Sequence, residues 1–124
     1  MNIPSSERLE KVYGESTKSA ERFRVLAENF KKKYGHDEAE FFSAPGRTEI
    51  IGNHTDHNGG KVIAGSIDLD TIGAAQANNS SVIHITSEGY DKEIVVDIAK
   101  LDSVEKVSGT EALLAGMMEG AQKF

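Results

Sequence analysis

The chain contains no cysteine, which excludes a disulfide framework and any thiolate metal centre and is compatible with the cytoplasm, the expected location. It has no run of about 18 apolar residues, so no membrane span is expected. Its first residues are polar, whereas a secretory leader would be charged and then apolar. Basic residues are scarce: 14 Lys and Arg stand against 20 Asp and Glu, a net charge of −6. Nucleic-acid binding needs a basic face. The single basic run, Lys31-Lys32-Lys33, fits better at the end of a helix, where cations meet the negative pole of the dipole. A glycine loop for nucleotide phosphates is also missing. Neither Gly-x-Gly-x-x-Gly nor Gly-Lys-Ser/Thr surrounds Gly52 or Gly59-Gly60, so the chain shows no nucleotide cradle of its own. No nucleic acid and no membrane are expected as partners.

What remains is the composition of one soluble globular domain: 124 residues, 38% hydrophobic and 27% charged, long enough to bury a core. Residues 1–5 read as a loose start. Leu9, Val12 and Tyr13 recur at helical spacing over residues 6–13, and Gly14 interrupts them. Ser16 or Thr17 is expected to cap a longer helix that runs to about Tyr34. Along it Phe23, Leu26, Ala27, Phe30 and Tyr34 form one apolar stripe, expected to pack on its own domain rather than to serve as a partner groove. Gly35 is its stop signal.

Beyond Gly35 the period changes. Residues 40–44, aromatic and bounded by Pro45, read as a strand. Residues 61–64 and 67–77 read as extended, with Gly65 and Gly73 as places for bends or bulges. Asn78-Asn79-Ser80-Ser81 is turn chemistry, residues 82–87 are a β-branched run, and residues 93–98 are another strand after the Glu88-Gly89 turn. The fold class expected is α+β: a mainly antiparallel sheet of about four strands flanked by helices. Residues 101–107 read as a linker. Ser108-Gly109-Thr110-Glu111 then reads as a capping box for a helix with Leu113, Leu114, Met117, Met118, Ala121 and Phe124 on one face. That face reaches the last residue with no stop signal. The chain is therefore expected to be part of a larger protein, and in isolation to self-associate through the exposed C-terminal helix.

Chemistry concentrates between Ala44 and Gly60, in the run Ala-Pro-Gly-Arg-Thr-Glu-Ile-Ile-Gly-Asn-His-Thr-Asp-His-Asn-Gly-Gly. Pro45 and Gly46 allow a sharp turn before Arg47, and Asn58-Gly59-Gly60 is a strong turn signal. Ile50 and Ile51 can anchor the backbone in a core, with residues 53–57 facing outward. Arg47 presents a permanently charged planar fork suited to phosphate or carboxylate; alternatively it forms a structural pair with Glu49. Asn53, His54 and Asp56 together supply the acceptors and donors that neutral sugar hydroxyls require. His54, Asp56 and His57 also invite a metal reading, but three ligands from four successive residues would strain the tetrahedral angles. Asp56 and Asn58 can instead satisfy turn amides, the preferred reading for Asn58.

This stretch resembles the sugar-binding signature of galactokinases, Gly-Arg-x-Asn-x-Ile-Gly-Glu-His-Thr-Asp-Tyr-Asn-x-Gly. With the preceding helix, the Phe-Phe-Ser-Ala-Pro-Gly-Arg run and Ile67-Asp68-Leu69-Asp70, the resemblance spans nearly all of this chain and the first third or so of a family member. It implies a GHMP small-molecule kinase that transfers the γ-phosphoryl group of ATP, with Mg2+, to the C1 hydroxyl of galactose. It implies that Arg47 lies beside the reacting hydroxyl as a catalytic residue and that Asn53, His54, Thr55 and Asp56 hold the sugar. More weakly, it implies that Ser87 lies near the nucleotide. Asn53 stands where the signature has glutamate, His57 where it has tyrosine and Glu49 where it has asparagine. A kinase for a related sugar, N-acetylated or uronic, and a sugar-binding module without catalysis are the competing readings. The family's phosphate-binding loop would follow Phe124, and its catalytic aspartate and C-terminal domain lie further on. Residues 1–124 are thus expected to be a partial N-terminal, sugar-binding domain, inactive alone.

Overall fold

Helix α1, Ser6–Tyr13, begins at Ser5, whose side chain accepts the Arg8 amide, and ends at Gly14, whose N–H donates to the Glu10 carbonyl. The structure, a computed structural model, describes residues 1–53, 55–103 and 108–124, without the side chains of Asp56, Asp102 and Ser103. It divides into two units, Met1–Gln76 and Ala77–Phe124. The α+β class with antiparallel strands is as expected. The strands, however, form two separate two-stranded sheets rather than one of four.

In the first unit α1 is followed by helix α2, Thr17–Tyr34, with Lys31, Lys32 and Lys33 in its last turn and Gly35 as its left-handed cap. The expected Ser16 cap makes no side-chain bond, because Ser16 already takes a helical backbone conformation. Glu15 caps instead. Its carboxylate accepts the Lys18 and Ser19 amides, each at 2.8 Å, and the Ser19 hydroxyl at 2.6 Å. One carboxylate thus satisfies two orphan N–H groups of the first turn. The Ser19 hydroxyl, with help from the two amides, holds the Glu15 carboxyl below its ordinary range. Along the predicted stripe Phe23 is buried while Leu26, Ala27, Phe30 and Tyr34 are half-buried. Phe23 meets Phe41 edge-on at 5.1 Å between ring centroids and lies 6.5 Å from Tyr13.

Strands β1, Glu40–Ile51, and β2, Ile63–Ala75, pair as one long antiparallel hairpin. The expected sharp turn before Arg47 is absent. The strand continues through Pro45 and Gly46, and Gly46 has no positive φ. The register slips there instead. Pro45 pairs with Asp70 and Arg47 with Ser66, so Gly46 alone faces Ile67, Asp68 and Leu69. A Cβ on Gly46 would come within 3.0 Å of the Ile67 side chain and 3.2 Å of the Leu69 carbonyl. The glycine is required by close approach, not by a turn. Ile50 and Ile51 are not the core anchors expected of them: they are 67% and 62% exposed. A two-stranded hairpin has two faces, and α2 packs on β2 without covering both.

One buried charge ties these elements together. Asp70, on β2, has a side chain only 5% exposed. Its Oδ1 accepts from Arg22 Nη2 of α2 at 2.6 Å, and its Oδ2 accepts from the Tyr13 hydroxyl of α1 at 2.7 Å and from Ser43 Oγ of β1 at 2.6 Å. The Arg22 guanidinium also lies 5.8 Å over the Tyr13 ring, within reach of a cation–π contact. Burial pushes the Asp70 carboxyl up, but the bonds from Ser43, Tyr13 and Arg22 outweigh it and hold the group below the ordinary carboxylate range. Burial, aided by the Asp70 carboxylate, pushes the Tyr13 hydroxyl up, so it stays a donor.

In the second unit β3, Val82–Ile85, pairs antiparallel with β4, Ile94–Asp97. A 3₁₀ segment, Ile98–Ser103, follows, and then helix α3, Gly109–Lys123. Val96 is its buried apolar residue among those described. The capping box expected at the start of α3 does not form. Ser108 makes no side-chain cap, and Glu111 pairs with Lys92 at 3.4 Å instead. Leu113 and Met117 on α3, and Phe124 just after it, are exposed. Of the predicted linker, residues 104–107 lie outside the described residues.

Asp70→Asn should cost this chain about 2–3 kcal/mol in urea unfolding at pH 7, the worth of hydrogen bonds to a charged group. Because the folded-state pKa of Asp70 is depressed, its contribution is complete above the unfolded value of about 4 and is lost as pH falls below it. The stability gap between the two proteins should therefore narrow between about pH 5 and pH 3. A gap that stays constant over that range would show that Asp70 does not bind these partners as an anion.

Candidate functional site

The polar loop leaves β1 at Gly52, where φ is 88°. A Cβ there would meet the Lys61 carbonyl and would lie 3.0 Å from Val62 Cα, so the loop's two ends press together through the missing side chain. The Gly52 carbonyl accepts both the Thr55 amide at 3.0 Å and the Thr55 hydroxyl at 2.7 Å. The Thr55 carbonyl in turn accepts the Asn58 amide at 3.1 Å and the Gly60 amide at 2.8 Å. A 3₁₀ turn, Asp56–Asn58, is wound between them. Thr55 is therefore the pin of the loop. Its hydroxyl hydrogen is engaged by Gly52, which leaves the oxygen as an acceptor.

Of the predicted sugar-binding residues, Asn53 and Thr55 are exposed in this loop; His54 and the Asp56 side chain lie outside the described residues. No bond from a turn amide to the Asn58 side chain, the reading preferred from the sequence, is found among the described residues. Asn58 Nδ2 lies 3.3 Å from His57 Nε2. Among the described residues, no group of three or more His, Cys, Asp or Glu converges as a metal site would.

Arg47 lies on β1, five residues before the loop's pivot, with its side chain 72% exposed. Its Nη2 donates to Glu49 Oε1 at 3.2 Å, which makes the pair anticipated as the structural alternative. The bond leaves other donors of the guanidinium open to solvent. Ser87 belongs to the second unit, where its carbonyl accepts the Tyr90 amide at 3.1 Å in the turn after β3. A cleft of about 400 Å³ is bordered by Leu9, Tyr13, Phe23, Phe41 and Ser43 and includes none of the predicted site residues. The Asp70 cluster was not anticipated. Its signal was a carboxylate alternating with apolar residues inside a strand, in Ile67-Asp68-Leu69-Asp70.

The geometry is that of a polar loop held at the end of a hairpin, with a charged fork on the strand that leads into it. Residues 28–77 match the family described as the galactokinase galactose-binding signature. Over part of its length the chain is similar to galactokinases. Similarity to the galactokinase of Lactococcus lactis subsp. lactis is 40% identity over 86 residues, 68% of this chain and 21% of that protein. For the galactokinase of Candida parapsilosis it is 35% over 99 residues, 77% of this chain and 19% of that protein. For that of Streptococcus thermophilus it is 36% over 73 residues, 59% and 19%. The matched parts are thus narrower than the near-complete coverage expected, and they span about a fifth of the length of these relatives. No solved structure matches the chain significantly.

Gly52→Ala should destabilise the chain by about 1–3 kcal/mol, from the strained φ and the overlap with residues 61 and 62. Thr55→Val, which keeps the shape and removes the hydroxyl, should cost about 1 kcal/mol, while Thr55→Ser should be nearly neutral. Denaturant midpoints that rank Thr55→Ser with Thr55→Val would mean that the hydroxyl does not hold the loop.

Proposed function

We propose that this chain is the sugar-binding N-terminal part of a galactokinase, a GHMP-type kinase that transfers the γ-phosphoryl group of ATP to the C1 hydroxyl of galactose in the cytoplasm. The observation that carries this reading is the signature at residues 28–77, whose polar stretch coincides with a loop folded tightly on its own backbone through Thr55. A rigid loop suits the task. Neutral hydroxyls are recognised by several short hydrogen bonds, and each loses strength if the groups must first be ordered. Asn53, His54, Thr55 and Asp56 bind the hydroxyls, with Asp56 as the ionised acceptor. Arg47 acts on the reacting oxygens, where a fixed positive charge lowers the energy of the charge that develops in transfer.

ATP and Mg2+ belong to the full-length protein in this reading. No group of three or more His, Cys, Asp or Glu among the described residues converges as a magnesium cage would, and Ser87 is assigned to the nucleotide side by resemblance alone. The phosphate-binding loop and the catalytic base are supplied by other parts of the protein, and the 124-residue chain by itself is inactive. Its exposed Leu113 and Met117 on α3, with Phe124 just after it, favour self-association of the isolated chain. One observation favours a related sugar in place of galactose: Asn53 is a neutral group where the signature has an anion. A neutral acceptor gives up a charge-assisted bond of about 1.5–3 kcal/mol.

In the full-length protein Asp56→Ala should weaken sugar binding about ten- to hundredfold while leaving the KM for ATP nearly unchanged. Arg47→Ala should lower kcat and kcat/KM together with little change in the KM for galactose. Asn53→Glu should alter the ranking of galactose against its epimers and derivatives. Steady-state kinetics over a small panel of sugars decides these points. An Asp56→Ala enzyme that loses only ATP affinity would remove the loop from sugar binding. The isolated chain, given galactose, ATP and Mg2+, should form no sugar phosphate above the buffer control.

A further inference from the structure

Arg47 and Glu49 stand two apart on β1 and so share one face of the strand. The register slips on both sides of them. Gly46 faces three residues of β2 on one side, and on the other Ile50 is the extra residue between the Glu49–Ala64 and Ile51–Ile63 pairs. The triplet Arg47-Thr48-Glu49 is thus a short, regularly paired piece between two irregularities, a device that re-aims side chains. The two side chains are held very differently. That of Arg47 is 72% exposed and that of Glu49 only 20%. A mostly buried side chain has fewer rotamers open to it than a mostly exposed one. Glu49 Oε2 is buried without a hydrogen-bond partner among the described residues. Its hydrogen bond runs through Oε1, 3.2 Å from Arg47 Nη2.

We propose that Glu49 is a positioning residue. By holding Nη2 of Arg47 it keeps the guanidinium in the place from which its remaining donors reach the transferred phosphoryl group. A flexible cation ordered before reaction need not be ordered during it, and the gain appears in the rate rather than in substrate binding. The inference rests on the reading of Arg47 as the catalytic arginine. The pair is too exposed at its arginine end to contribute much to folding, so its removal should register in kinetics and hardly in stability.

The test is a double-mutant cycle in the full-length protein. Glu49→Ala should lower kcat about tenfold with the KM for galactose changed by less than about twofold, and Glu49→Gln, which keeps an acceptor oxygen, should restore most of the loss. In an Arg47→Ala background the same Glu49→Ala change should alter kcat by less than about twofold. The Tm of Glu49→Ala should stay within about 2 °C of the parent. A loss of kcat by the same factor with and without Arg47 would overturn the proposal, because Glu49 would then act by another route. So would an unchanged kcat in Glu49→Ala when Arg47→Ala is impaired. If Arg47→Ala itself retains full kcat, the reading of Arg47 falls and this inference falls with it. Should Glu49→Ala not fold, Glu49→Gln carries the cycle: a smaller loss of kcat in the parent and none in Arg47→Ala supports the proposal, and equal losses overturn it.

Discussion

The first unit depends on the anionic carboxylate of Asp70. Its buried apolar side chains among the described residues are Leu9 and Phe23, a narrow core for two helices and a hairpin. Through Tyr13, Arg22 and Ser43, Asp70 joins α1, α2 and β1 to its own strand at 2.6–2.7 Å. A carboxylate taken from water needs compensating bonds on both oxygens, and here both have them. Arg22 remains partly exposed, so the arginine keeps much of its hydration, and the desolvation cost falls mainly on the acid. The geometry is selective as well as stabilising. Hydrophobic contact between Phe23, Phe41 and Tyr13 tolerates sliding, but three donors converging on one carboxylate set how far each helix lies along the hairpin.

That placement governs the candidate site by continuity of the strands. Asp70 pairs with Pro45 at the point where the register slips, and the Arg47-Thr48-Glu49 triplet begins directly beyond it. The anchored half of the hairpin holds the helices; the half beyond Gly46 carries the charged fork and ends in the Gly52–Gly60 loop. The two halves also differ in what faces solvent, with Ile50, Ile51 and Ile63 all exposed at the loop end. In the loop, order comes from backbone bonds and one threonine hydroxyl rather than from burial. Polar side chains there can stay accessible while their backbone is held.

Much of this was legible in the amino-acid sequence. The bounds of α1 and α2, their glycine stops and the buried Phe23 follow from the 3.6-residue period and from residues that act within one turn of themselves. The polar loop and its likeness to the galactokinase signature rest on a contiguous run of residues, so no tertiary contact was needed to see them. Locally similar patterns misled where a competing partner prevailed. Ser16 had the right chemistry for a cap, but Glu15 reaches two amides at once. Ser108 and Glu111 had capping-box spacing, but Lys92 draws Glu111 away.

Only the tertiary structure decided the rest. Asp70 finds partners 48 and 57 residues away in sequence, a separation over which neither periodicity nor propensity carries information. Gly46 read as a hinge because glycine permits positive φ; it serves instead by lacking a Cβ where Ile67 and Leu69 crowd in. Spacing placed Arg47 and Glu49 within reach of each other, but only the structure shows that the carboxylate is mostly buried while the guanidinium stays mostly exposed. The sequence by itself determined which groups the loop offers, because those are local and covalent. Which of them are held and which are free was decided by strand register and burial, which depend on residues far away along the chain.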